Sequence, residues 1–168
     1  MKKRLWILAA AVLLALVLAI PASASKAVDV SGTNYLMGFR ELPVEVTRGD
    51  RCFATATHDW TWTGDISGES ITEYRTVAKG PCAGIPGVWE ETTHIENWFT
   101  GTVGGSDEGS IRISCPGKFS FDPPRWEFHC VLHSGTDGLA NLHGTIQITW
   151  PFAEPGNPYW GEVHWDPQ

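Results

Sequence analysis

Positive charge is scarce in this sequence. Lys and Arg number 12 against 19 Asp and Glu, a net charge of −7, and three of the basic residues (Lys2, Lys3, Arg4) crowd at the very start. Beyond them the balance falls to −10, nine basic residues against 19 acidic. Nucleic acid and anionic lipid surfaces are met by cationic patches that neutralise phosphate, so neither is a partner expected here. Long apolar runs are equally rare. The one present, Leu5 to Ile20, spans only about 24 Å as a helix, short of the roughly 30 Å hydrocarbon core of a bilayer. Helix-length periodicity, internal repeats and low-complexity tracts are missing too.

Several chemical signatures are also absent. Without a C-x-x-C pair, a zinc knuckle or thioredoxin-like centre has no support. There is no G-x-S-x-G elbow for a serine nucleophile. The Gly-rich stretch Gly101–Gly109 is acidic and leads into a strand pattern, so it does not read as a phosphate-binding loop. No cofactor is expected. Histidines number six, but no H-x-H pattern occurs. His129 and His133 stand four residues apart on one strand, roughly 13 Å in extended chain and too far for one ion. His94 and Glu96 share a face and could offer two ligands; two are too few, and no metal site is assigned.

What is present begins with an export leader. The basic start, the apolar run, helix-breaking Pro21 and the small-x-small triplet Ala22-Ser23-Ala24 together read as a signal peptide over residues 1–24. An uncleaved anchor is the alternative. Residues 25–168 then form a single domain, secreted or held in the cell envelope, without membrane contact after cleavage. Four cysteines, Cys52, Cys82, Cys115 and Cys130, read as two disulfides in such a compartment.

The segments between Gly and Pro are rich in Thr, Val, Ile and Trp, and several alternate with period two, the mark of strands with one buried face. From Cys52 to Trp62 the even positions are Cys, Ala, Ala, His, Trp and Trp, and the odd ones are mostly Thr. Similar faces run through Trp89 to Val103, Ile111 to Phe121, Trp126 to Leu132, Leu142 to Trp150 and Tyr159 to Trp165. Weaker strands are expected over Val28 to Leu36, Leu42 to Val46 and Ile71 to Lys79. Seven to nine short strands without crossover helices fit a sandwich or a barrel.

The turn Asp122-Pro123-Pro124 sets a register. Folding the chain about it places Cys115 opposite Cys130, Ile113 beside Leu132 and Phe119 beside Trp126, all on the buried face. A one-residue slip would destroy that agreement, so Cys115–Cys130 is predicted. Cys52–Cys82 follows by elimination, and folding about Asp65 to Glu69 brings the two near each other, with Trp60 near Tyr74.

The stretch His133-Ser134-Gly135-Thr136-Asp137-Gly138-Leu139-Ala140-Asn141-Leu142-His143-Gly144 resembles the G-S-G-T-G-x-L-A-G-L-x-G segment of a family of small uncharacterised bacterial proteins. The resemblance implies the allene-oxide-cyclase-like (calycin-like) fold: all-β, a closed eight-stranded antiparallel β-barrel, here disulfide-stapled. A β-sandwich remains the alternative. His133, Asp137 and Asn141 stand where that family has glycine. Asp and Asn tolerate left-handed backbone, so the same turns are expected at 137 and 141; His133 has no such allowance. No catalytic residue of the cyclase can be matched, so no activity carries over.

In a closed barrel the interior would be lined by Trp60, Trp62, Tyr74, Trp89, Phe99, Phe119, Trp126 and Trp150, with His58 pointing inward among them. Small barrels either fill with such side chains or hold one small ligand. Aromatic walls suit a small apolar or sugar ligand, and His58 is the candidate polar anchor or base. The expected function is a non-catalytic barrel binding a small, partly apolar ligand. An isomerase- or cyclase-like enzyme with an apolar cavity is one alternative. A cell-surface or carbohydrate-binding protein using out-of-phase Trp98 and Trp160 is the other. Glu90, Glu91, Glu96, Asp59 and Glu73 read as solvated surface carboxylates.

Overall fold

Short alternating segments close on themselves because each buries one face and none has a helix to cover it. The computed structural model describes residues 26–82, 91–151 and 155–167. They form eight strands: β1 (Val28–Arg48), β2 (Arg51–Gly64), β3 (Ile66–Lys79), β4 (Glu91–Val103), β5 (Gly109–Phe121), β6 (Pro124–Leu132), β7 (Leu142–Pro151) and β8 (Asn157–Trp165). Every strand pairs antiparallel with the next, and β8 pairs with β1, so the sheet is a closed barrel rather than a sandwich. The helical content of the described residues is one 3-10 turn, Asp137–Leu139. The leader, residues 1–24, lies outside the described residues.

Both cysteine pairings are as expected, Cys52–Cys82 and Cys115–Cys130. The β5–β6 register also agrees: Phe121 faces Pro124, Phe119 faces Trp126 and Ile113 faces Leu132. The β2–β3 register differs. Its turn is tight, centred on Gly64 (φ 102°) and Asp65, where a longer turn through Glu69 was expected. Trp60 therefore faces Ser70, and Tyr74 faces Ala56. Cys52 faces Ala78, and Cys82 reaches it from beyond the end of β3. The two weak strands expected over Val28–Leu36 and Leu42–Val46 are one strand, β1, whose register against β2 shifts between Leu36 and Gly38, Phe39 and Glu41, and Glu41 and Val44. These bulges hid its continuity, because each inserted residue reverses the face of the residues after it.

The lower end of the barrel is tightly packed. Trp62, Phe99, Val103, Leu139, Leu142 and Val163 are all essentially inaccessible there. Phe99 lies across the facing pair Gly68 and Gly101, where a Cβ on either residue would come within 2.2 Å of a backbone carbonyl oxygen. The Tyr159 hydroxyl accepts the Ile66 N–H at 2.8 Å and shares its own proton between the Thr63 and Ile66 carbonyls at 3.0 and 3.1 Å. Asp137 and Asn141 carry the left-handed backbone expected of them, φ 53° and 60°. Their turns fold Leu139 under the barrel as a plug.

Candidate functional site

The upper end is built differently. Inner-face aromatics are buried at mid-barrel and become half-exposed towards the rim, forming a funnel. Trp60, Trp126 and Phe128 are buried, whereas Tyr74, Phe119 and Trp150 are partly buried. Leu36 and Phe39 on β1 face Trp60 and His58, and they are 36% and 50% exposed although they stand on the inner face. Beyond its last contact with β8, Asn34 with Asn157, β1 pairs with β2 alone. Apolar side chains at this rim are therefore left open to solvent.

His58 sits at the throat of the funnel. It is buried, stacked on Tyr74 at 5.9 Å and on Trp60 at 6.2 Å, with the Phe39 ring edge-on at 4.5 Å. Burial lowers its pKa below the usual histidine value, because the charged imidazolium would lose its hydration there. Trp150 meets Trp60 edge-on at 5.9 Å. The other wall is a run of rings, Phe119 against Trp126 at 5.5 Å and Trp126 against Phe128 at 5.9 Å.

At and around the throat the inner face also carries buried polar side chains that alternation alone does not predict. Asn157 Nδ2 donates to Asn34 Oδ1 at 2.8 Å, and Thr72 Oγ1 donates to Asn97 Oδ1 at 2.6 Å. Thr76 donates to Thr93 at 2.9 Å, and Trp62 Nε1 to Ser70 at 2.9 Å. The available signal was their phase: Asn97 stands between Ile95 and Phe99 on the inner face of β4, and Asn157 is in step with Tyr159 and Val163. A polar residue in an apolar phase marks an interior that is not wholly hydrocarbon.

Two buried side-chain atoms among the described residues have no hydrogen-bond partner, His58 Nε2 and Trp60 Nε1. They lie on neighbouring inward positions of β2. Trp60 also lines a cavity of about 20 Å3 shared with Asn34, Thr72, Asn97, Asn157 and Trp150. That is room for about one water beside these side chains.

The structure therefore brings together His58, Trp60, Tyr74, Phe119, Trp126 and Trp150 at one end. Trp62 and Phe99, in contact at 6.1 Å, belong to the packed lower end, away from the funnel. Trp89 lies outside the described residues. Trp98 and Trp160 are each 46% exposed on the outer face. His94 and Glu96 do share an outer face, at 2.7 Å, but the carboxylate is already engaged by the Ser114 hydroxyl at 2.7 and 2.8 Å. Burial works against ionisation of Glu96, yet these hydrogen bonds and the nearby Arg112 hold its pKa below the usual carboxylate value. One described cluster, Glu45, Cys52 and Cys82, is spaced closely enough for a cation; its sulfurs are joined as a disulfide and offer no thiolate.

A family model described as a protein of unknown function (DUF3224) matches residues 30–157. Among solved structures, the chain is similar to a protein of unknown function from the same family in Shewanella oneidensis, at 16% identity and a TM-score of 0.63, covering 85% of this chain and all of that one. At that identity the likeness speaks for the fold alone. No curated protein matches the sequence.

Proposed function

The chain belongs to the DUF3224 family, whose function is unknown, and we propose from its own geometry that it is an exported, non-catalytic barrel that takes a small, partly apolar ligand into the upper funnel. The observation that carries this reading is the pair of buried, unpartnered atoms, His58 Nε2 and Trp60 Nε1, at the base of a half-exposed aromatic wall. Leaving a buried polar atom unpaired costs about 1–3 kcal/mol, and a ligand that supplies the missing partner recovers it. An indole N–H can only donate, so the ligand head must carry an acceptor such as a hydroxyl, ether or carbonyl oxygen. Its body would lie against Tyr74, Phe119 and Trp150. Two disulfides are consistent with an extracytoplasmic location.

An isomerase-like activity would rest on His58, whose pKa burial lowers, with the Tyr74 phenol ring stacked on it at 5.9 Å as the neighbouring proton-transfer group. The binding reading needs only the geometry. Its test is the mass of the secreted protein under native and then denaturing conditions, followed by titration with 1-octanol read by tryptophan emission. Release of a small molecule, or a saturable emission change lost in W60F and H58F, is the expected result. A bare protein mass combined with unchanged emission would overturn the proposal.

A further inference from the structure

We propose a second binding site, distinct from the funnel, on the outer face of β6, β7 and β8, taking a neutral saccharide with Trp160 as its stacking platform. Register builds it. His129 on β6 faces Gln147 on β7, and Gln147 faces Trp160 on β8, so the three form one row across the strands. All three point outward and are exposed. Adjacent strands lie about 4.8 Å apart, which places imidazole, amide and indole along roughly 10 Å of surface. The row separates two adjoining depressions of about 460 and 400 Å3, both lined by His129, Gln147 and Trp160. Thr145 and Glu162 line the first, and Thr149 and Glu127 the second.

The hydrogen-bonding state of this face is what distinguishes it. On the opposite outer face Trp98 is equally exposed, but its polar neighbours are engaged with one another: His94 and Ser114 hold Glu96, and His133 lies 3.2 Å from Ser114. Around Trp160, the side chains of His129, Gln147, Thr145 and Glu162 make no hydrogen bond within the protein among the described residues. An exposed indole face attracts the weakly positive C–H face of a pyranose, and the amide, imidazole and hydroxyl beside it, none of them hydrogen-bonded within the protein, match ring hydroxyls, which both donate and accept. The charge on the face selects among saccharides. Arg125 is held by Glu127, leaving Glu162 as an uncompensated carboxylate that an acidic sugar would meet unfavourably. A neutral glycan is the ligand class that satisfies all of these groups.

The test is calorimetric titration of the full mature protein with cellotetraose, with tetra-N-acetylchitotetraose as a second neutral probe and trigalacturonate as the acidic control. At least one neutral probe should bind, and W160A should weaken it roughly tenfold or more, the loss of one stacked aromatic contact. Q147A should weaken it too, and W98A should leave it unchanged. Because Trp160 projects outward, W160A should keep the wild-type melting temperature, which separates a lost site from a lost fold. Wild-type affinity in W160A, equal affinity for trigalacturonate, or no binding of either neutral probe at about 10 mM would each overturn the proposal.

Discussion

Tyr159 shows how much one side chain can carry in this barrel. Burial raises its pKa to about 12, reinforced by the carboxylate of Asp65 and opposed by the hydrogen bond at Ile66. The folded state thus holds the phenolic proton more tightly than the unfolded chain, whose tyrosines titrate near 10. Its contribution is intact below pH 10 and is lost as pH climbs from about 10 to about 12, amounting to roughly 2–3 kcal/mol. Urea denaturation at about pH 9 and about pH 11.5 should show that fall, and Y159F should flatten it while lowering stability at neutral pH. A wild-type protein equally stable at both values would refute the assignment. Residue-scale features of this kind were only partly legible in the sequence. His58 was placed inward by its phase with Ala56 and Trp60, and it is inward. That its Nε2 and the neighbouring indole N–H lack partners depends on residues from β1, β3 and β7, which no local pattern specifies.

At the scale of elements, the β5–β6 hairpin is the most self-determined part of the chain. Turn, alternation and cysteine spacing agree there, and the register is as the sequence implies. The Cys115–Cys130 bridge closes a loop of sequence separation 15, worth about 3 kcal/mol in the chain-entropy view. The double variant C115A/C130A should lose about that much in denaturant unfolding and keep the hairpin, since Phe119 and Trp126 still pair. Loss of the β5–β6 amide cross-peaks in that variant would show instead that the bridge sets the register. The β2–β3 hairpin is the instructive contrast. Its disulfide follows by elimination from Cys115–Cys130, while the register that agreed with it is four residues out of step; Cys82 lies past the strand end and reaches Cys52 from there. Gly64 and Gly68 both offer a turn in the sequence. Gly68 is used otherwise, paired with Gly101 beneath the Phe99 ring, a contact made by β4.

For the molecule as a whole, closure depends on the β8–β1 seam, which joins residues more than a hundred apart in the chain. Asn34 and Asn157 face each other there, and their amides are joined inside the barrel at 2.8 Å. N34A removes the acceptor for a buried amide and should cost about 1–3 kcal/mol, with amide exchange rising first in β8. Unchanged melting and unchanged β8 protection would mean the seam is held by its backbone ladder alone. The seam is also where β1 parts from β8, and that parting leaves Leu36 and Phe39 uncovered at the rim. The open upper rim is thus a consequence of one strand being longer than its neighbour.

By itself the sequence determined the all-β class, the buried face of β2, β5, β6, β7 and β8, and the two disulfides. Each of these is written in local terms: a period of two, a turn residue, a cysteine on an inward phase. The closing of the sheet, the joining of two weak strands into β1, and the division of the aromatics between a solid floor and an open funnel were decided by the tertiary structure. So was the alignment of His129, Gln147 and Trp160 across three strands. Those features depend on register between distant segments, and register is an agreement among strands that no single strand carries in its own pattern.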